Sequence, residues 1–133
     1  MKSVLFLILF SLSASFIHAQ KSDDKHAFLV EYKQEHINLG EVKKGESVTF
    51  QYELINAGTE DIQIEIVSGC ECTTLDWPRK KIKPGESAVV DVIFDSTEKE
   101  ESETVDVDIT YKNTDINGDQ RFKILTYSFD LIQ

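Results

Sequence analysis

From Phe28 onward the chain alternates apolar and polar residues with a period of two, and this alternation limits its possible folds more than any other feature. Neighbouring side chains on an extended strand point to opposite faces, so such a run has one apolar face and one wet face. Phe28, Val30 and Tyr32 alternate with Leu29 and Glu31, and Val48, Phe50, Tyr52 and Leu54 with Thr49, Gln51 and Glu53. The pattern returns at Ile62, Ile64 and Ile66, at Ala88 to Phe94, and at Val105 to Tyr111. Helix signals are absent.

Turn chemistry punctuates the runs. Lys44-Gly45-Glu46, Asn56-Ala57-Gly58-Thr59 and Pro84-Gly85 each separate two of them, and Asn and Gly tolerate the left-handed backbone of tight turns. The last third reads as a hairpin about Asn117-Gly118, ending in a long apolar strand from Phe122 to Leu131. Phe122 and Ile124 share one parity, while Leu125, Tyr127, Phe129 and Leu131 share the other. This predicts a bulge or a change of sheet near Ile124 or Leu125. About seven short strands without helices describe an antiparallel β-sandwich.

The first residues follow a different rule. Lys2, an apolar run from Val4 to Ile17 and the small residue Ala19 have the order of a cleavable signal peptide over residues 1–19. The uninterrupted apolar core, Val4 to Phe10, is far shorter than the roughly 20 residues that span a bilayer. The expectation is export to the periplasm or beyond, no membrane insertion after cleavage, and one sandwich domain over residues 20–133. The formal charge of the 133 residues is −10, and loss of Lys2 makes it more negative still. Nucleic-acid binding, which needs clustered cations, is disfavoured. The one dense basic run, Arg79, Lys80, Lys81 and Lys83, reads as a solvated turn flank. Two cysteines are too few to act as a framework, so a hydrophobic core must supply most of the stability.

Between Ile37 and Phe94 several of these points form a series: Ile37-Asn38-Leu39-Gly40-Glu41-Val42 with Gly45-Glu46, Asn56-Ala57-Gly58, Cys70-Glu71-Cys72-Thr73-Thr74, Trp77-Pro78, and Ile82-Lys83-Pro84-Gly85-Glu86-Ser87. The series resembles the bacterial exported family known as domain of unknown function 1573. That resemblance implies an immunoglobulin-like sandwich, related to major sperm protein and ASH-type domains, with no established reaction. Glu71 stands where the family usually has a small residue.

Cys70 and Cys72 are the chemically distinctive pair. On a straight strand their Cα atoms lie roughly 6.6 Å apart, at the upper edge for a disulfide, so a bridge needs a turn at Glu71. Three readings fit: a structural pair, bridged or buried; a soft-metal site for copper or zinc; and thiol exchange, which the charge of Glu71 opposes. His26 and His36 are the only histidines after the leader, and no second cysteine pair completes a metal shell. Trp77 is either an aromatic anchor for a ligand or a lid packed over the end of the sandwich, with packing favoured. Asp115 to Asp119 has the glycine of a calcium loop at the wrong position and reads as a polar turn. Glu98, Glu100, Glu101 and Glu103 read as a solvated loop. No catalytic motif and no cofactor motif appears. The expected function is a non-catalytic module that binds a protein partner in the cell envelope or outside the cell. Metal or thiol chemistry at Cys70 and Cys72 is the alternative.

Overall fold

The computed structural model describes residues 27–133. The expected signal peptide lies outside the described residues, as does His26. Eight strands form: β1 (Val30–Tyr32), β2 (His36–Lys43), β3 (Ser47–Asn56), β4 (Ile64–Gly69), β5 (Thr73–Asp76), β6 (Ser87–Asp95), β7 (Glu103–Thr114) and β8 (Gln120–Ile132). They make two four-stranded sheets, ordered β1-β3-β6-β5 and β2-β8-β7-β4. The β-sandwich expected from the alternation is present, with one strand more than the expected seven and with β2 parallel to β8.

Alternate residues of the two inner faces meet in the core. Tyr52, Leu54, Val90, Val92 and Phe94 face Val107, Ile109, Tyr111, Leu125 and Tyr127, all essentially inaccessible to water. Burying each such side chain contributes roughly 1.5–3 kcal/mol. The phenol tips keep polar partners: Tyr52 donates to the Thr126 carbonyl at 2.6 Å, and the Tyr32 and Tyr111 hydroxyls meet at 2.6 Å. The turns are held as their chemistry suggests. Asp115 Oδ1 accepts from the backbone N–H groups of Asn117 and Asp119, with Gly118 at φ 86°.

Three expectations need correction. The pairing of β7 with β8 runs without a shift from Glu103–Phe129 to Thr110–Phe122, so there is no bulge at Ile124 or Leu125. Phe122 and Ile124 simply face outward, 70% and 49% exposed. The irregularity sits instead in β4, between Ile64 and Ile66. It turns Ile66 out to solvent and brings Val67 into the core. Gly58 is not left-handed; a Cβ there would fall against the backbone of Ala27 and 2.8 Å from Leu29 N. Close approach, and not a reversal, requires glycine at that position.

Candidate functional site: the β5–β6 edge and the Cys70–Cys72 corner

The chain leaves β4, at the edge of one sheet, and enters β5, at the edge of the other, through the turn that holds the two cysteines. Thr73 N–H donates to the Cys70 carbonyl at 3.0 Å, which closes a tight turn over Glu71 and Cys72. The turn brings the two Cα atoms to 5.2 Å, and the sulfurs are joined as a disulfide. Both cysteines are half-buried against the core, and Glu71 is exposed at the tip. In the chain-entropy description, a bridge closing so few residues stabilises the fold by only roughly 1.6 kcal/mol. A disulfide also has no thiolate to offer a metal, and among the described residues no three His, Cys, Asp or Glu side chains cluster.

Beside the disulfide lies a hydroxyl relay that the sequence did not announce. Thr73 Oγ1 is 3.3 Å from Cys70 Sγ, 3.5 Å from Cys72 Sγ and 2.7 Å from the Tyr127 hydroxyl. Desolvation raises the Tyr127 pKa, and the bond to Thr73 offsets part of that rise. Thr73 is adjacent to the Cys-x-Cys motif and could have been singled out from it. Tyr127, on β8, carries no sequence signal beyond its core parity.

The other end of β5 opens a groove. Backbone direction on β6 follows from two bonds. Asn56 N–H donates to the Glu86 carbonyl toward β3, and Asp95 N–H donates to the Cys72 carbonyl toward β5. Odd-numbered β6 residues therefore turn their backbone N–H and C=O groups toward the β5 side. Pairing with β5 ends at Asp76–Asp91, and the next pair of that kind would set Pro78 against Val89. Proline has no N–H to give, so β5 stops there. The backbone edges of Ser87 and Val89 then face a groove of about 650 Å³, walled by Trp77, Pro78, Lys80 and Lys81.

Trp77 has two placements in the structure. It packs partly against the core and walls the groove. The Arg79 guanidinium covers its ring at 3.6 Å, and the buried Nε1 has no hydrogen-bond partner among the described residues. The basic run that read as a solvated flank is thus exposed, and Lys80 and Lys81 of it also wall the groove.

Other candidates separate from this corner. His36 lies exposed on β2, with Nδ1 2.8 Å from Thr126 Oγ1 and Nε2 3.0 Å from Ser128 Oγ. That pair sits on the open outer face of the sheet. Glu98, Glu100 and Glu101 are exposed in the loop before β7, Glu100 pairs with Lys44 at 2.7 Å, and Glu103 begins β7 and pairs with Lys99.

With the geometry in place, comparison decides the family. A model for the protein family of unknown function DUF1573 matches residues 30–126. The chain belongs to DUF1573. The match contains the whole Cys-x-Cys-Thr, Trp-Pro and Pro-Gly-Glu series, so in this DUF1573 chain the family's residues build the disulfide corner, the end of β5 and the turn into β6. No curated protein matches the chain in sequence. Among solved structures, a protein of unknown function from Porphyromonas gingivalis W83 is 21% identical at a TM-score of 0.63, covering 80% of this chain and 49% of that one. The ASH/PapD-like domain 7 of human CEP192 is 14% identical at 0.64, covering 100% and 98%. The Vibrio cholerae VesB protease is 16% identical at 0.61, covering 76% and 31%. At these identities the likeness is one of fold. The DUF1573 chain spans about half the length of the Porphyromonas protein and under a third of the protease.

Proposed function

We propose that this chain is an exported, non-catalytic binding module that takes an extended segment of a partner protein along the open edge of β6. The observation that carries the reading is the ladder interrupted at Pro78, which leaves the Ser87 and Val89 backbone groups without a neighbouring strand above a groove walled by Trp77. Both residues are exposed, and an open strand edge of this kind is a template that an added strand pairs in register. Four cations in loop 77–83, on a chain of formal charge −10, favour a segment with acidic side chains on the loop side. Export is supported by the leader-like order of residues 1–19. The likeness to a protease carries no reaction across, because it covers 31% of that chain.

The test places a photo-crosslinking residue at Lys81 on the groove wall, or at Lys112 on β7, in the full chain expressed in its native envelope. A discrete adduct to one partner protein is expected from position 81 and not from 112. Val89→Pro removes the Val89 N–H, one of the two backbone donors that face the groove, while leaving the even-numbered ladder to β3, and is expected to abolish the adduct with the fold kept by circular dichroism. Equal adducts from both positions, or an adduct indifferent to Val89→Pro, would sink the reading.

A further inference from the structure

The bridge between Cys70 and Cys72 closes a ring too small to hold the sandwich together, yet one side chain addresses both of its sulfurs. Thr73 Oγ1 lies within 3.5 Å of each, and the Tyr127 hydroxyl stands 2.7 Å behind it and 3.7 Å from Cys72 Sγ. Tyr127 is fixed by the core: its ring is fully buried and meets Phe50 and Phe94 at centroid distances of 5.0 and 5.4 Å. A buried phenol keeps its proton at neutral pH and so serves as a donor into this relay. The hydroxyl pair therefore waits where negative charge develops when the S–S bond opens.

We propose that Cys70–Cys72 is a thiol–disulfide exchange site acting on a protein dithiol, with Thr73 and Tyr127 stabilising the sulfur that leaves. The thiolate of the partner's first cysteine attacks Cys70 Sγ. The S–S bond breaks, a mixed disulfide forms, and Cys72 Sγ departs with the electron pair, accepts the hydrogen bond of Thr73 Oγ1, whose oxygen in turn accepts from the Tyr127 hydroxyl, and takes a proton from solvent. The partner's second thiolate then attacks the partner sulfur of the mixed disulfide and releases Cys70, which is protonated in turn. Two electrons have moved: the partner leaves as a disulfide, and Cys70 and Cys72 remain as two thiols. The choice of substrate rests on the edge-docking reading: the groove lies at the Asp76 end of β5 and the pair at its Thr73 start, so a docked segment reaches the pair by continuing along the outer edge of β5. The exchange chemistry stands on the hydroxyl geometry alone. Glu71, exposed at the tip of the turn, disfavours attack by anionic small thiols.

The oxidised full chain is mixed with excess dithiothreitol, a neutral dithiol, and ring opening is followed by timed alkylation and intact mass. Thr73→Val is expected to slow opening about tenfold and Thr73→Ser to restore it to within about twofold, the size of one lost hydrogen bond to a charged group. Opening of Thr73→Val at the wild-type rate, or a Thr73→Ser variant as slow as Thr73→Val, overturns the role of the hydroxyl. Circular dichroism and urea titration of each variant separate slowed chemistry from lost structure, and Tyr127→Phe, which keeps the ring, gives an independent reading of the relay. An extended acidic peptide bearing a Cys-x-x-Cys dithiol then tests the substrate. Val89→Pro is expected to slow opening by the peptide and not by dithiothreitol. Equal effects on both overturn the protein-dithiol assignment, whereas failure of the Thr73 series overturns the exchange site itself.

Discussion

Replacing Asn56 with alanine is expected to cost more stability than any other single polar deletion of its kind among the described residues. Asn56 ends β3 with no exposed surface. Its Nδ2 donates to the Glu60 and Ile82 carbonyls at 2.8 and 2.9 Å, and its Oδ1 accepts from Gly58 N–H at 3.0 Å. Each bond contributes about 1 kcal/mol net, and truncation strips one partner from each of three backbone groups, of which the Ile82 carbonyl keeps Ile62 N–H, so the loss comes to about 3 kcal/mol. Against a total stability of roughly 5–15 kcal/mol this is a large fraction. In a domain of this size it lowers Tm by at least about 12 °C. Asn113 is the matched control. It also makes three such bonds, to Gln63 N–H, the Asp61 carbonyl and a Glu60 carboxylate oxygen, but it is only half-buried, so water replaces the lost partners and Asn113→Ala costs below about 1 kcal/mol. Urea unfolding of both variants at matched m-value reads the difference. Equal losses would refute the claim that burial, and not bond count, sets the cost. Because Ile82 closes the loop that walls the groove, Asn56→Ala should also weaken partner capture at Lys81.

Other outcomes follow from the same structure. Replacing Cys70 and Cys72 together by serine should lower stability by only roughly 1.6 kcal/mol, read by urea titration; a chain that no longer folds would make the bridge a framework after all. Gly58→Ala, whose Cβ meets backbone, should cost about 1–3 kcal/mol, and a neutral result would show that the Ala27 segment moves aside freely. Burial, above all, holds the Tyr32 pKa at about 12 and also raises those of Tyr52 and Tyr111 above 10.0. The folded state then binds more protons than the unfolded one above pH 10, so stability is full below pH 10 and is lost as pH rises toward the folded values. Tyrosinate absorbance should rise together with loss of the circular dichroism signal; ionisation of all the tyrosines near pH 10 in a folded chain would contradict their burial.

Alternation alone made β3, β6 and the middle of β7 readable, because from Val48 to Leu54, Ala88 to Phe94 and Val105 to Tyr111 every inward position is apolar. It misplaced the bulge because a parity change has two physical solutions. Either the strand kinks, or one apolar set faces water, and which occurs depends on pairing that no local pattern encodes. In β8 the outward set, Phe122 and Ile124, is tolerated; in β4 the even run Ile62, Ile64 and Ile66 is broken by a kink that favours Val67. The parallel β2–β8 pairing was beyond reach for the same reason. At the site, the need for a turn at Glu71 followed from strand rise, and Trp77-Pro78 was legible as punctuation. The hydroxyl relay was not, since Thr73 and Tyr127 stand 54 positions apart and meet only once the two sheets close.

The edges of the sandwich argue that the slot beside β6 is a feature and not a packing defect. β1 has three residues, β2 is irregular between Asn38 and Glu41, with Gly40 at φ 70°, and β4 is kinked at Ile66. Shortness and bulges of this kind keep sheets from pairing with stray strands. β6 has neither device, and its register with β3 is continuous from Asp95 to Ser87. A defect would be repaired by carrying β5 two residues further, which needs only an N–H at position 78. The sequence instead sets proline there, raises a tryptophan beside it and covers that ring with Arg79. A straight, unpaired backbone edge shielded only by a loop is open to a strand able to displace that cover, and closed to one that cannot.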